Sequence, residues 1–216
     1  MIKLPVEKKK SENRGTTLIE MIVCFALMAI FVSSAAAIIA SVTNLYYQAK
    51  GETYGRQVSD IIVQRVVSEL EGAKWKDGSN ENPKISTDKK TIELFNRSDT
   101  KTTVSTADKQ LLIKYAAFSN DEMTKGETTW KFNKNVYFNY EIEELLFIPG
   151  SALGSGTAAE LAAKLQSYRV DVENIEYDAD IVLVLLTVKS DKYGTYRTVR
   201  PVKMYNVPTD YAWPVN

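Results

Sequence analysis

The sequence predicts an α+β fold: a long N-terminal helix, then an antiparallel β-sheet with one short extra helix. From Met21 to Ala49 no side chain carries a charge. Apolar residues then recur on one helical face as far as Leu70. Beyond Pro83, short runs rich in β-branched and aromatic residues alternate with turn residues, the pattern of strands.

The apolar run from Met21 to about Val42 is about 33 Å long as a helix, enough to cross a hydrocarbon core of about 30 Å. It exceeds the roughly 7–15-residue core of a secretory signal, and no A-x-A cleavage pattern stands where such a signal needs one. Ahead of it, residues 1–15 hold Lys3, Lys8, Lys9, Lys10 and Arg14 against Glu7 and Glu12, a net +3 in a chain whose formal charge is zero. This basic flank predicts a cytoplasmic N-terminus and an extracytoplasmic body.

After Val42 the helix is expected to continue outside the membrane. Val58, Ile61, Ile62, Val66 and Leu70 share one face, with Gln57, Asp60, Gln64 and Glu71 mostly elsewhere. Gly51 and Gly55 weaken the middle and mark an expected bend. Thr16 to about Glu71 therefore reads as one helix, apolar all round in its first half and amphipathic in its second.

A loop follows at 72–83, GAKWKDGSNENP. Its Asp77–Asn82 segment lacks the alternating oxygen ligands and distal glutamate of a calcium loop, and no metal is expected there. Strands are predicted at Thr91–Phe95, Gln110–Phe118, Thr128–Asn133 and Asn135–Ile148. In the last of these Val136, Phe138, Tyr140 and Ile142 alternate with polar neighbours. The stretch at Ser98–Lys109 between them reads as a polar loop. Thr157-Ala158-Ala159-Glu160 has the form of a capping box with Thr157 as N-cap, opening a helix to about Ser167. Three more strands are expected at 168–177, 180–190 and 195–207, with hairpin turns at Asp178–Asp180 and Lys192–Gly194. Residues Ile181–Val188 are apolar on both faces, as in a central strand covered by the long helix.

Composition narrows the chemistry. The chain has no histidine, which removes Ser-His-Asp triads, Cys-His pairs and His-ligated zinc. A single cysteine, Cys24, cannot form an intrachain disulfide and reads as a small buried hydrophobe. The body, at about −3, shows no basic stripe for nucleic acid, and Arg197, Arg200 and Lys203 read as a solvated face. Glu141 and Glu143 share the solvent face of a strand, while Asp121 and Glu122 form a further acidic pair. None of these has a catalytic partner legible in the sequence. Trp75, Trp130 and Trp213 read as core or interface aromatics.

One constellation remains. Arg14-Gly15-Thr16-Thr17-Leu18-Ile19-Glu20 joins the basic leader to the apolar run and places a carboxylate just inside it. An ionisable group there costs a few kcal/mol unless it is paired or near the interface. The string resembles the prepilin cleavage motif of type IV pilins and pseudopilins, closely over about Arg14–Val42. The resemblance implies a pilin-like architecture and cleavage between Gly15 and Thr16 by a prepilin peptidase. It also implies N-methylation of the new Thr16 amine, and pairing of Glu20 with the N-terminal amine of a neighbouring subunit during filament assembly. Thr16 stands where the family more usually has Phe or Met, and no proline interrupts Met21–Val42, as one does in many major pilins.

So read, residues 1–15 are a cytoplasmic leader that is removed. Residues 16–72 are the long helix, spanning the membrane at about 16–42, and 73–216 are an extracytoplasmic β-rich domain. The implied role is a non-enzymatic minor pilin, anchored by one span and then built into a type IV pilus or related filament with other pilin subunits. No cofactor, metal or specific nucleic-acid partner is expected. A pseudopilin of a type II secretion or competence system fits the same residues. So does a single-pass anchored ectodomain that binds a ligand or acts as an enzyme, which needs neither a cut leader nor Glu20.

Overall fold

The computed structural model describes residues 17–75, 82–96, 100–119, 122–132, 134–153, 158–170 and 178–214. The chain divides into two compact units, Met1–Tyr46 and Tyr47–Asn216. The class is α+β, as expected. Helix α1 runs over Leu18–Glu71 without a break, through both Gly51 and Gly55.

In the second unit the strands form two antiparallel sheets rather than one. The first is a meander in chain order: β1 (Lys84–Ile85), β2 (Ile92–Phe95), β3 (Thr100–Ala107), β4 (Gln110–Ser119) and β5 (Glu122–Lys131). The second, also in chain order, holds β6 (Glu141–Pro149), β7 (Ile181–Ser190) and β8 (Gly194–Lys203). Helix α2 (Ala159–Ser167) lies in sequence between β6 and β7.

β7 shows why the second sheet is central. Val182, Val184, Leu186 and Val188 join Val58, Ile62, Val66 and Leu70 of α1 in the main core. The alternate residues Leu183 and Leu185 join Leu161 and Leu165 of α2, with Leu146 and Ile148 of β6. Each fully buried aliphatic side chain contributes about 1.5–3 kcal/mol relative to exposure, so both faces of β7 are strongly specified. The covering by α1 was expected; the second cover, α2, was not. On α1 itself Ile61, expected on the buried face, is 37% exposed, while Val63 is buried. Residues 58, 62, 66 and 70 recur every fourth position, and 59 and 63 extend the buried stripe on the side away from Ile61.

Three other sequence expectations need correction. The stretch Thr100–Ala107, expected within a polar loop, is β3 and pairs with strands on both sides. Its threonines suit a pleated surface, and Thr102 and Val104 are buried on one face. Its hairpin to β4 turns on Asp108 and Lys109, both at positive φ (53° and 60°), the geometry of a two-residue type I′ turn.

Asn135–Ile148 is not one strand. Lys134–Tyr137 is a 3-10 turn, Phe138 and Asn139 have positive φ (46° and 64°), and β6 begins only at Glu141. The chain here crosses from one sheet to the other, so Tyr137 and Tyr140 are buried while Phe138 is exposed. Finally, the N-cap of α2 is Ala158 with no side-chain cap; Thr157 lies outside the described residues. Residues 168–170 form the turn that ends α2 rather than strand, and 171–177 also lie outside the described residues, as does most of Asp77–Asn82.

The Lys192–Gly194 turn is found where expected, with Gly194 at φ 85° and Ser190 paired to Gly194. Asp178–Asp180 is a turn leading into β7, through the Ile181 N–H donating to the Asp178 carbonyl (3.0 Å). The outer edge of β6 is covered by turns of the first sheet. Its Ile142 and Phe147 N–H groups donate to the carbonyls of Lys109 and Lys89, both at 2.8 Å.

Candidate functional site

Gly15 and Thr16 lie outside the described residues; the first described residue is Thr17. Its backbone N–H donates to Oε2 of Glu20 at 2.8 Å, and the Glu20 N–H reaches back to Oγ1 of Thr17 at 3.4 Å. This reciprocal pair is a capping box, and it satisfies two backbone donors that a helix start leaves open. The positive end of the helix dipole also favours a carboxylate there. Sequence reasoning assigned Glu20 only an intermolecular partner, although Thr17-Leu18-Ile19-Glu20 has the T-x-x-E spacing that signals a cap.

Behind this cap the helix surface is apolar and uncovered. Leu18, Ile19, Phe25, Met28, Phe31, Ile38 and Ile39 are all exposed, and the most apolar 18-residue window has a mean hydropathy of 2.6. The helix is thus long and apolar enough to cross a membrane. Cys24 sits exposed on this surface rather than buried as expected. The serines in the stretch are satisfied internally. Ser33, Ser34 and Ser41 donate to the carbonyls of Ala29, Ile30 and Ala37, four residues back, at 2.7, 2.9 and 3.1 Å. Such back-bonding lets a serine lie in an apolar helix without an open donor.

From Tyr47 onward α1 is fastened by aromatic residues. A Cβ on Gly51 would lie 2.6 Å from the Tyr193 carbonyl oxygen, and one on Gly55 2.6 Å from Cβ of Tyr196. The two glycines therefore let the β7–β8 turn and β8 lie directly on the helix backbone. Between them and β6, the buried Tyr140 hydroxyl donates to the Gly51 carbonyl at 2.7 Å. Burial raises the Tyr140 pKa, with Tyr193 adding to it. Tyr54 stacks on Phe138 with ring centres 5.0 Å apart and meets Tyr193 edge-on at 5.6 Å.

The polar clusters of the second unit are ordered scaffolding. Arg65 pairs with Glu69 at 2.8 Å and lies 4.8 Å over the Trp130 ring. The Tyr115 hydroxyl accepts from Arg65 and donates to Glu69. Burial, reinforced by that bond to Glu69, pushes the Tyr115 hydroxyl up to about 12. On the other face Glu144 pairs with Lys164 and accepts from Tyr168, whose own pKa burial also pushes up to about 12.

Glu141 and Glu143 are exposed as expected and pair with Lys109 (2.6 Å) and Lys189 (3.5 Å). Asp121 lies outside the described residues and Glu122 opens β5. Arg197, Arg200 and Lys203 are exposed on β8, but the strand alternation puts Arg200 on the opposite face from the other two. Lys203 is held by Asp180 at 3.1 Å. Trp75, Trp130 and Trp213 pack against the main core, and the Trp213 indole donates to the Ala179 carbonyl at 2.7 Å. Among the described residues, no group of three or more His, Cys, Asp or Glu side chains is placed to hold a metal ion.

No family model matches the chain, and no curated protein matches it. The candidate site is therefore defined by its own residues: the Gly15–Thr16 junction, Glu20 with its Thr17 partner, and the uncovered apolar surface behind them.

Proposed function

We propose that this chain is a prepilin-like structural subunit, a minor pilin. It is cut by a prepilin peptidase between Gly15 and Thr16 and assembled through its apolar helix into a type IV pilus or related filament. The reading is carried by one juxtaposition. The string Arg14-Gly15-Thr16-Thr17-Leu18-Ile19-Glu20 directly abuts an uncharged stretch within a single helix, and the same helix supplies the core of the β-rich unit. In this role the span holds the subunit in the membrane until assembly. The Thr16 amine, a cation with a pKa near 8 once the leader is gone, neutralises Glu20 of a neighbour as the helix leaves lipid.

The deciding experiment is the N-terminal residue of the mature protein. Mass spectrometry of the membrane fraction is expected to find a chain beginning at Thr16. Gly15→Ala is expected to leave the leader attached. A wild-type chain that keeps its leader in a host with prepilin peptidase, or a Gly15→Ala chain that still begins at Thr16, overturns the proposal in favour of a single-pass anchored ectodomain.

A further inference from the structure

The uncharged run Met21–Ala49 is bracketed by Glu20 and Lys50. As a helix it is about 43 Å long, more than the hydrocarbon core of about 30 Å but equal to the 40–45 Å that includes both headgroup layers. Its last turns carry Tyr46 and Tyr47, side chains that favour the headgroup level. In the second unit, the β7–β8 turn meets this end of the helix. The Lys192 ammonium lies 5.5 Å over the Tyr47 ring and 5.3 Å from that of Tyr193. Lys50 lies 5.4 Å over Tyr54.

Two carboxylates, Asp191 and Glu52, are near in sequence, and neither forms an ion pair with Lys192. Asp191 lines a cleft of about 550 Å³ with Lys109 and Lys189. Glu52 lines a groove with Tyr193, Arg169 and Arg197. Lys192 is thus held by aromatic faces rather than by a carboxylate, among the described residues, and its ammonium stays exposed. A cation held over aromatic rings beside the last turns of the uncharged run suits the headgroup layer.

We infer that the β7–β8 turn, through Lys192 together with Tyr47 and Lys50 of α1, docks on the anionic phospholipid headgroups of the membrane that α1 crosses. The docking sets the depth at which the body rests before the subunit leaves lipid. It rests on the membrane-span part of the proposed function and not on cleavage or filament assembly.

The test uses the full chain in vesicles of phosphatidylcholine alone and of phosphatidylcholine mixed with phosphatidylglycerol. Flotation reports insertion, and hydrogen exchange reports the amides of residues 190–194. The expected result is flotation with both vesicles and slower exchange at the turn only with phosphatidylglycerol, by roughly fivefold for each lysine engaged. High salt is expected to abolish the difference. Lys192→Glu and the milder Lys192→Gln, both exposed changes, are expected to float normally and lose most of the slowing. Flotation with equal exchange in the two lipids overturns the docking and leaves the span standing. Failure to float with either lipid overturns the span and the docking together.

Discussion

The Thr17 backbone N–H donates to the Glu20 carboxylate at 2.8 Å, so the one acid at the edge of the apolar run already has a partner within its own first helical turn. Glu20 therefore serves two roles that can be separated. As a cap it needs only a side-chain oxygen, which glutamine also supplies. As half of an intersubunit ion pair it needs the charge.

Glu20→Gln is expected to keep the helix start and leader removal but to reduce incorporation into filaments. Glu20→Ala is expected to lose both roles, the charge and the bond to the Thr17 N–H. Immunoblots of the sheared filament fraction, with mass spectrometry of the membrane pool, measure the two effects. Normal incorporation of Glu20→Gln would leave capping as the role of this residue.

Alanine at Gly51 or Gly55 improves helix propensity by about 1 kcal/mol, yet both changes are expected to destabilise the second unit. Each new Cβ would sit 2.6 Å from an atom of the β7–β8 turn or β8, and at Gly51 that atom is a backbone oxygen that cannot swing away. Overpacking of this kind costs about 1–3 kcal/mol. Thermal unfolding is expected to show a lower Tm for both, while Gly72→Ala, whose nearest neighbour is 3.4 Å away, changes little.

Tyr140→Phe removes the hydrogen bond to the Gly51 carbonyl and leaves the ring packing in place. The expected loss is about 0.5–1.5 kcal/mol in denaturant unfolding, with the slope unchanged. A change in slope would show instead that the hydroxyl governs how much structure unfolds together.

Tyr115 and Tyr168 are pushed up to about 12 in the folded chain, against about 10 when unfolded. A folded pKa above the unfolded one favours the native state only while the group keeps its proton. Stability from these residues is thus intact below pH 10, falls as the unfolded tyrosines ionise, and is lost as pH rises through about 12. Tyr115→Phe and Tyr168→Phe are each expected to flatten the fall of Tm over this window. Absorbance at the phenolate band is expected to show a late-titrating fraction in the wild type that shrinks in each variant.

Much of this was legible because it depends on local pattern. The length of α1 follows from an uncharged run joined to a stripe at helical spacing, and β7 was visible as a run apolar on both faces. What misled was polarity taken as a proxy for a loop. The threonines of β3 are polar by composition and β-formers by shape, and pairing on both sides decided the matter. The alternation Val136–Phe138–Tyr140–Ile142 resembled a strand because turn-forming positive φ at Phe138 and Asn139 leaves no mark in a hydropathy pattern. The T-x-x-E cap at Thr17–Glu20 is legible in the sequence, because it depends only on the spacing of two residues in one helical turn.

By itself the sequence determined the long helix, the α+β class, the uncharged span and the Arg14–Glu20 string, because each rests on the order of neighbouring residues along one element. Tertiary structure alone decided the split into two sheets, the covering of the second face of β7 by α2, and the use of Gly51 and Gly55 as contact points. Those outcomes depend on which surfaces meet. Gly51 accommodates a close approach only because Tyr193, far along the chain, brings its backbone to that helical turn.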